Sequence, residues 1–280
     1  MLGGAVVSTV GVVTGAGRGM GLECARRITS MVDTLLLVDR DETTATAAAA
    51  ELSERGDAMV HPYVLDITDV DGLDRLATRV GESGSLRAVA HVAGISPTMA
   101  DWKTIFAVDL IGTARIAAAL RPLTVPGTAW VAFASMAPVI GGVQVGAATA
   151  AILDDPLSEH FFERIHESVG AGIEHPGAAY AIAKLGVKQF VRREAVRLGP
   201  LGGRICSVSP GLIDTPQGRQ EAADNPRMGA WVEQTPVGRL GRAEEVAAVA
   251  AFVLSDEASF LSGVDLLVDG GVCAAVGRAQ

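Results

Sequence analysis

Seven short runs rich in valine, leucine and alanine punctuate the chain: STVGVVT, TLLLVD, AMVHPYVLD, LRAVAHVA, TAWVAFAS, GRICSVSP and VDLLVD. Helical stretches separate them, among them GLECARRITS, TTATAAAAELSER, VDGLDRLATRVGE, WKTIFAVDLIGTARIAAALRPL and EEVAAVAAFVL. Strands that are apolar on both faces belong in a parallel sheet covered by helices on each side. Right-handed crossovers then make such a sheet doubly wound. No repeat, linker or composition shift divides the 280 residues, so the expectation is one α/β domain over 1–280.

The chain is 49% apolar and carries a formal charge of −9. That composition argues against disorder. The acidic balance provides no footprint for nucleic acid, and no basic cluster addresses an anionic membrane surface. No apolar run reaches the roughly 20 residues that cross a bilayer. The opening MLGGAVVSTVGVVTGAG has no basic n-region and leads into a glycine motif, so it reads as a first strand rather than a signal peptide. Cys24, Cys206 and Cys273 are odd in number and lack metal-ligand spacing, which predicts free thiols, no metal site and a cytoplasmic setting.

The first strand runs into TGAGRGMG, residues 14–21, which opens a helix. Glycine lets backbone approach a pyrophosphate, and the helix N-terminus supplies free N–H groups and the positive end of its dipole. This is a Rossmann-type placement. The second strand ends in Asp39, about 20 residues on, where a carboxylate accepts hydrogen bonds from ribose hydroxyls and repels a 2′-phosphate. Arg18 and Arg40 argue for the phosphate; the balance favours NAD over NADP. Asp66, closing the third strand, reads either as an adenine contact or as the N-cap of the next helix.

The segment GAAYAIAKLGV, residues 177–187, places one of only two tyrosines, Tyr180, four residues before Lys184. Residues four apart share a helix face, and the small residues around them leave that face open. With TGAGRGMG, Ser135 in AFASMAP and the YAIAK stretch, the chain resembles the classical short-chain dehydrogenase/reductases. LDITD, HVAG at 91–94, SPGLIDT at 209–215 and the closing SGVDLLVDGG extend the likeness over nearly the whole length.

This resemblance implies catalysis by Ser135, Tyr180 and Lys184. The Lys184 ammonium would favour the Tyr180 phenolate, Tyr180 would exchange a proton with the substrate oxygen, and Ser135 would orient that oxygen. Lys184 and Tyr180 would also contact the nicotinamide ribose. By motif, Gly15, Arg18, Gly19 and Met20 would line the pyrophosphate turn, and Asp39 and Arg40 the adenosine ribose. Asp66 and Ile67 would flank adenine, Ala93 and Gly94 would lie under the adenosine and ribose phosphates, and Pro210, Ile213 and Thr215 would hold the carboxamide. Three residues depart from the family pattern. Asp109 in VDLIG stands where an asparagine normally helps to relay protons, His91 and Val92 replace an Asn pair, and Cys206 replaces a frequent Asn. Asp109 is expected to tune turnover, since an ionised carboxylate cannot donate a hydrogen bond; His91 reads as a packing residue.

Ser135 and Tyr180 are farther apart than in most members. Residues 136–176 read as a helical insertion, with DPLSEHFFERIHESV stacking Leu157, Phe161, Ile165 and Val169. This insertion, with NPRMG at 225–229, PVGRLGR at 236–242 and the DGGV ending, resembles the branch of bacterial 3α-hydroxysteroid dehydrogenase/carbonyl reductases and coniferyl-alcohol dehydrogenase-like sequences. That implies a bulky secondary or allylic alcohol, or its ketone, as substrate. Pro138, Val139, Ile140 and Val143 would wall the pocket. Residues 215–234 form the expected substrate loop, with Met228 and Trp231 as apolar contacts, although Trp231 reads equally as core packing. An insertion over the helix used for four-helix intersubunit contact would favour a homodimer over a tetramer. The alternative to an enzyme is a non-catalytic NAD-binding sensor or regulatory scaffold.

Overall fold

The computed structural model describes residues 8–276 except 55, 57 and 226. The opening residues 1–7, Arg55 of the second helical stretch and Pro226 of NPRMG lie outside the described residues. The large-sheet strands in the first part of the chain are β1 (Thr9–Thr14), β2 (Thr34–Asp39), β3 (Met59–Val64), β4 (Ser85–His91), β5 (Thr124–Phe133) and β6 (Arg204–Pro210). Two short strands, β7 (Ile213–Asp214) and β8 (Gly241–Arg242), pair with one another, and β9 (Asp265–Val268) completes the large sheet. The seven expected strands pair in the order β3-β2-β1-β4-β5-β6-β9. Every pairing in that sheet is parallel. The chain reverses direction across the sheet between β1 and β4, which opens a crevice at the carboxyl ends of these strands.

The helices are α1 (Gly19–Ile28), α2 (Glu42–Ser53), α3 (Val70–Ser83), α4 (Trp102–Phe106), α5 (Thr113–Leu120), α6 (Ala137–Ile140), α7 (Ala147–Leu153), α8 (Phe161–Val169), α9 (Pro176–Leu198), α10 (Pro216–Asp224), α11 (Arg227–Gln234), α12 (Ala243–Leu254) and α13 (Val272–Val276). Alternate strand residues feed two cores, as the period of a strand requires. Val12 and Leu36 face the layer that contains α3, α4, α5 and α9. Val13, Leu35 and Leu37 face α1, α2 and α12. The proline in β3 is tolerated because β3 is an edge strand.

Two expectations change at the level of elements. The long helix read over residues 102–123 is broken by a π-helical stretch at Ala107–Gly112; its wider turn carries Asp109 inward, and the Thr113 hydroxyl donates to the Asp109 carbonyl across it at 2.7 Å. The helix read from Asp155 begins only at Phe161. Leu157 is 47% exposed and lies in the turn before it, so the buried stripe is Phe161 and Ile165. Segment 136–176 folds as three short helices, α6 to α8, followed by a single 3₁₀ turn at Ala171–Glu174. Phe161 meets Phe106 at 5.5 Å between ring centres, and Phe162 meets Trp102 at 5.9 Å. Segment 136–176 is therefore fastened to α4 through aromatic edges.

Candidate active site

A cleft of about 1190 Å³ runs along the carboxyl ends of the strands. It starts at the glycine turn. Gly15 and Gly19 have φ of +64° and +58°, a region that side chains rarely adopt. A Cβ on Gly15 would come within 2.9 Å of the Ala93 backbone, so the turn after β1 and the segment after β4 touch through bare backbone. α1 begins here with Arg18 in an extended conformation, no side-chain cap and no acid in its first turn. Its first N–H groups are thus available to an anion.

Asp39 accepts from the Gly17 N–H at 2.9 Å and from the Asp41 N–H at 3.1 Å. The carboxylate is thereby fixed at the end of β2, lining the cleft beside Arg40. The Asp66 carboxylate accepts from the Thr68 N–H and hydroxyl at 2.9 and 2.7 Å. The N-cap of α3 is Asp69, so the capping alternative for Asp66 falls away. Gly15, Arg18, Gly19, Met20, Asp39, Arg40, Asp66, Ile67, Ala93, Gly94, Pro210, Ile213 and Thr215 all line this one cleft. Thr215 caps α10, accepting from the Gly218 N–H at 3.0 Å, which anchors the loop after β6 opposite Gly19.

Ser135, two residues past β5, and Tyr180 and Lys184, one turn apart on α9, all line this cleft. The Ser135 hydroxyl interacts with the Tyr180 phenol and accepts from the Ala137 N–H at 3.1 Å. Lys184 is buried. Its ammonium donates to the Phe133 carbonyl at 3.1 Å, lies 3.5 Å from Asp109 Oδ1 and sits 5.7 Å from the centre of the Tyr180 ring. Asp109 does not line the cleft. It stands behind Lys184, where Oδ1 also accepts from the Ile95 N–H at 2.9 Å while the buried Oδ2 has no hydrogen-bond partner. Burial raises the Asp109 pKa, opposed by Lys184 and the Ile95 N–H.

The Tyr180 phenol is raised above its ordinary range by burial, then by the charges of Asp109 and Glu221; the Ser135 hydroxyl acts in the opposite direction. The Lys184 ammonium beside the ring is shared with Asp109 and the Phe133 carbonyl.

His91 is enclosed between Thr14 and Thr113, with Nδ1 2.8 Å from the Thr14 hydroxyl and Nε2 3.0 Å from that of Thr113. Because the Thr113 hydroxyl donates to the Asp109 carbonyl, it accepts from Nε2–H, and Nδ1 accepts from Thr14. Burial, then Lys184, holds the His91 pKa down at about 3, so the ring is neutral. It is a packing residue, linking the end of β1 to the π-helical turn that carries Asp109. Thr14 also accepts from the Val92 and Ala93 N–H groups at 3.2 and 3.1 Å.

The substrate end differs from the sequence reading. Pro138 is buried and Val139 is 47% exposed, and neither lines the cleft. Met136, the N-cap of α6, and Ala137 and Ile140 of that helix line it instead; residues four apart share a face. Val143, Met228 and Trp231 do line it. Met228 and Trp231 also join a small core with Met136, Leu212, Val272 and Cys273, so Trp231 both packs in that core and lines the cleft. Sequence reasoning did not single out Glu221 on α10 or Met99 after β4, both cleft residues; the signal for Glu221 was its position inside the expected substrate loop, whose lid stretch began at Gln217, itself a cleft residue.

The chain matches two family models, "short chain dehydrogenase" over residues 9–151 and "Enoyl-(Acyl carrier protein) reductase" over residues 166–273. It is 31% identical over 283 residues to the cis-4-hydroxycyclohexanecarboxylate dehydrogenase of Sinomonas cyclohexanicum, covering 98% of this chain and 100% of that one. It is 30% identical to the meso-2,3-butanediol dehydrogenase of Serratia marcescens, covering 96% of each. A solved glucose/ribitol dehydrogenase-type short-chain dehydrogenase/reductase from Brucella melitensis superposes with a TM-score of 0.73 at 26% identity, over 95% of this chain and 96% of that one. The chain belongs to the short-chain dehydrogenase/reductase family, an oxidoreductase family whose members typically bind a nicotinamide cofactor.

Proposed function

We propose that this protein is an NAD(H)-dependent dehydrogenase/reductase that interconverts a bulky secondary or allylic alcohol and its carbonyl, with Tyr180 as general acid/base. The observation that carries this reading is the meeting of Ser135, Tyr180 and Lys184 in a cleft that begins at the glycine turn. The positive-φ glycines and the uncapped start of α1 fit a pyrophosphate, and the Asp39 carboxylate fits ribose hydroxyls better than a 2′-phosphate. When bound, the dinucleotide supplies the hydride acceptor or donor at its nicotinamide ring.

The chain's own residues do the rest. Ser135 donates a hydrogen bond to the substrate oxygen, and Tyr180 takes the alcohol proton or returns it to the carbonyl. Lys184 binds the ribose hydroxyls, while Asp109 sets its charge balance from behind as a positioning residue. Met99, Met136, Ile140, Val143, Met228 and Trp231 supply an apolar wall, which supports a bulky substrate of hydroxysteroid-like or aromatic type. The named relatives act on smaller or alicyclic alcohols, and they support a secondary alcohol in general.

Three buried, unpaired cysteines support a cytoplasmic setting. α8 packs its aromatic residues on α4 and borders Arg115 and Ala119 of α5, which supports a homodimer over a tetramer; light scattering that returned a stable tetramer would contradict this.

The test is reduced-nicotinamide formation with NAD or NADP across 3-hydroxysteroids, cinnamyl-type alcohols and short aliphatic alcohols. Turnover with NAD on a bulky class is expected. Tight NAD binding with no turnover on any of them would favour a non-catalytic NAD-binding scaffold.

A further inference from the structure

The roof of the substrate end is made of two unlike helices. α11 presents Met228 and Trp231, both apolar. α10 presents Gln217, Gly218, Glu221 and Asp224, which at spacings of three and four occupy one face of the helix. Arg219, off that face, pairs with Asp214 at the surface. A helix that only covered an apolar substrate would turn apolar residues inward; α10 instead turns a carboxylate inward, half-buried.

Among the described residues no hydrogen bond or ion pair is assigned to the Glu221 carboxylate, whereas Asp39, Asp66 and Asp109 each accept bonds from their surroundings. Burial raises its pKa, and its charge is felt by the Tyr180 phenol. An acceptor that faces the cleft holding Ser135 and Tyr180, with no protein donor on it, is open to a donor on the ligand once water is displaced.

Resting on the dehydrogenase reading above, we propose that Glu221 is a specificity residue that accepts a hydrogen bond from a second hydroxyl or an amino group on the substrate, close to the carbinol carbon. The preferred substrate is then amphipathic, with its apolar body under α11 and Met136 and its donor under α10. The same carboxylate repels a substrate carrying its own carboxylate near the carbinol. That sets this cleft apart from one adapted to a hydroxy acid.

The test uses four compounds on one ring: cyclohexanol, cyclohexane-1,2-diol, 2-aminocyclohexanol and 2-hydroxycyclohexanecarboxylate. For each, kcat/KM with NAD and binding to the protein–NAD complex by titration calorimetry are measured in wild type, Glu221→Gln and Glu221→Leu. The diol or the amino alcohol should exceed cyclohexanol in kcat/KM by about ten- to a hundredfold, the worth of one hydrogen bond to a charged group, and the carboxylate should be the poorest. Glu221→Leu should bring the ratio of the donor compound to cyclohexanol close to one. Glu221→Gln, which keeps an acceptor but loses the charge, should retain part of a diol preference, lose most of an amine preference and relieve the exclusion of the carboxylate.

A ratio near one in wild type overturns the inference and leaves the dehydrogenase reading standing. A ratio that stays high in Glu221→Leu does the same. Binding or turnover of none of the four compounds overturns the inference, and turnover of no alcohol in the wider panel overturns the dehydrogenase reading as well.

Discussion

The glycine-turn end of the cleft is made of backbone, whereas the end under α10 and α11 is made of side chains. At the first, Gly15 lies against the Ala93 backbone and Asp39 is held by two N–H groups, so the shape follows from a few residues next to strand ends. At the second, Ile140, Glu221, Met228 and Trp231 come from three helices, and Met136 from the residue before α6, and their mutual placement depends on packing. On the proposed reading, backbone geometry would fix how a dinucleotide is held, and side-chain geometry would leave the substrate open to change. Between the two ends stand Ser135, Tyr180 and Lys184, joined to both.

That contrast is broken most severely at the junction. Lys184→Met removes the cation shared by Tyr180 and Asp109; kcat/KM should fall by roughly 10² to 10⁴, and the unpaired buried Asp109 should cost about 3–5 kcal/mol in urea unfolding. Adding Asp109→Asn should recover most of the stability but not the turnover. Recovery of turnover in that double variant would show that Lys184 serves only as a counterion.

On the backbone side, Gly15→Val places a branched residue at φ +64° against Ala93. Thermal melts should show a loss of about 1–3 kcal/mol, with NAD affinity weakened at least about tenfold. Ile140→Ala, on the side-chain side, should alter KM for bulky alcohols while NAD affinity, read by fluorescence titration, stays close to wild type. Equal effects of both variants on NAD and alcohol binding would erase the distinction between the two ends.

Asp39→Ala removes the acceptor at the end of β2 and its repulsion of a 2′-phosphate. Preference for NAD over NADP should narrow by about tenfold, on the order of 1.4 kcal/mol, as read from the two kcat/KM values. An unchanged preference would assign cofactor choice to Arg18 and Arg40 instead.

The smallest effect concerns pH. On the proposed mechanism, in which Tyr180 takes the alcohol proton, kcat/KM for oxidation should rise with pH through the Tyr180 pKa, which burial and then the Asp109 charge raise. Asp109→Asn removes that charge. The rising limb of kcat/KM should therefore move to lower pH. A limb that stayed in place, or moved up, would end the case for Asp109 as a tuning residue.

The uneven legibility of the sequence follows from the same division. Each of the residues expected to meet a cofactor stands within a few positions of a strand end, and parallel strands bring their ends together by topology; reading β1 to β6 from apolar runs was enough to assemble Gly15, Asp39, Asp66, Ala93 and Pro210 in one cleft. The Tyr180–Lys184 pair was readable because one helical turn relates the two side chains.

Pro138 and Val139 misled because nearness to Ser135 in the chain does not say which face of α6 meets the cleft. Leu157 misled because a four-residue spacing continued across the turn that precedes α8. The raised Tyr180 pKa was not legible, since Asp109 and Glu221 reach the phenol from a π-helical turn and from α10, respectively 71 and 41 residues away in sequence.

The central claim is that Tyr180 moves the proton while the glycine-turn end independently holds the dinucleotide. The most direct measurement compares wild type with Tyr180→Phe for NAD affinity by calorimetry and for the rate of reduced-nicotinamide formation on the best alcohol of the panel. The account predicts a rate lower by roughly 10² to 10⁴ with NAD affinity within a few-fold of wild type. A Tyr180→Phe protein that binds NAD and oxidises the alcohol at the wild-type rate would contradict it.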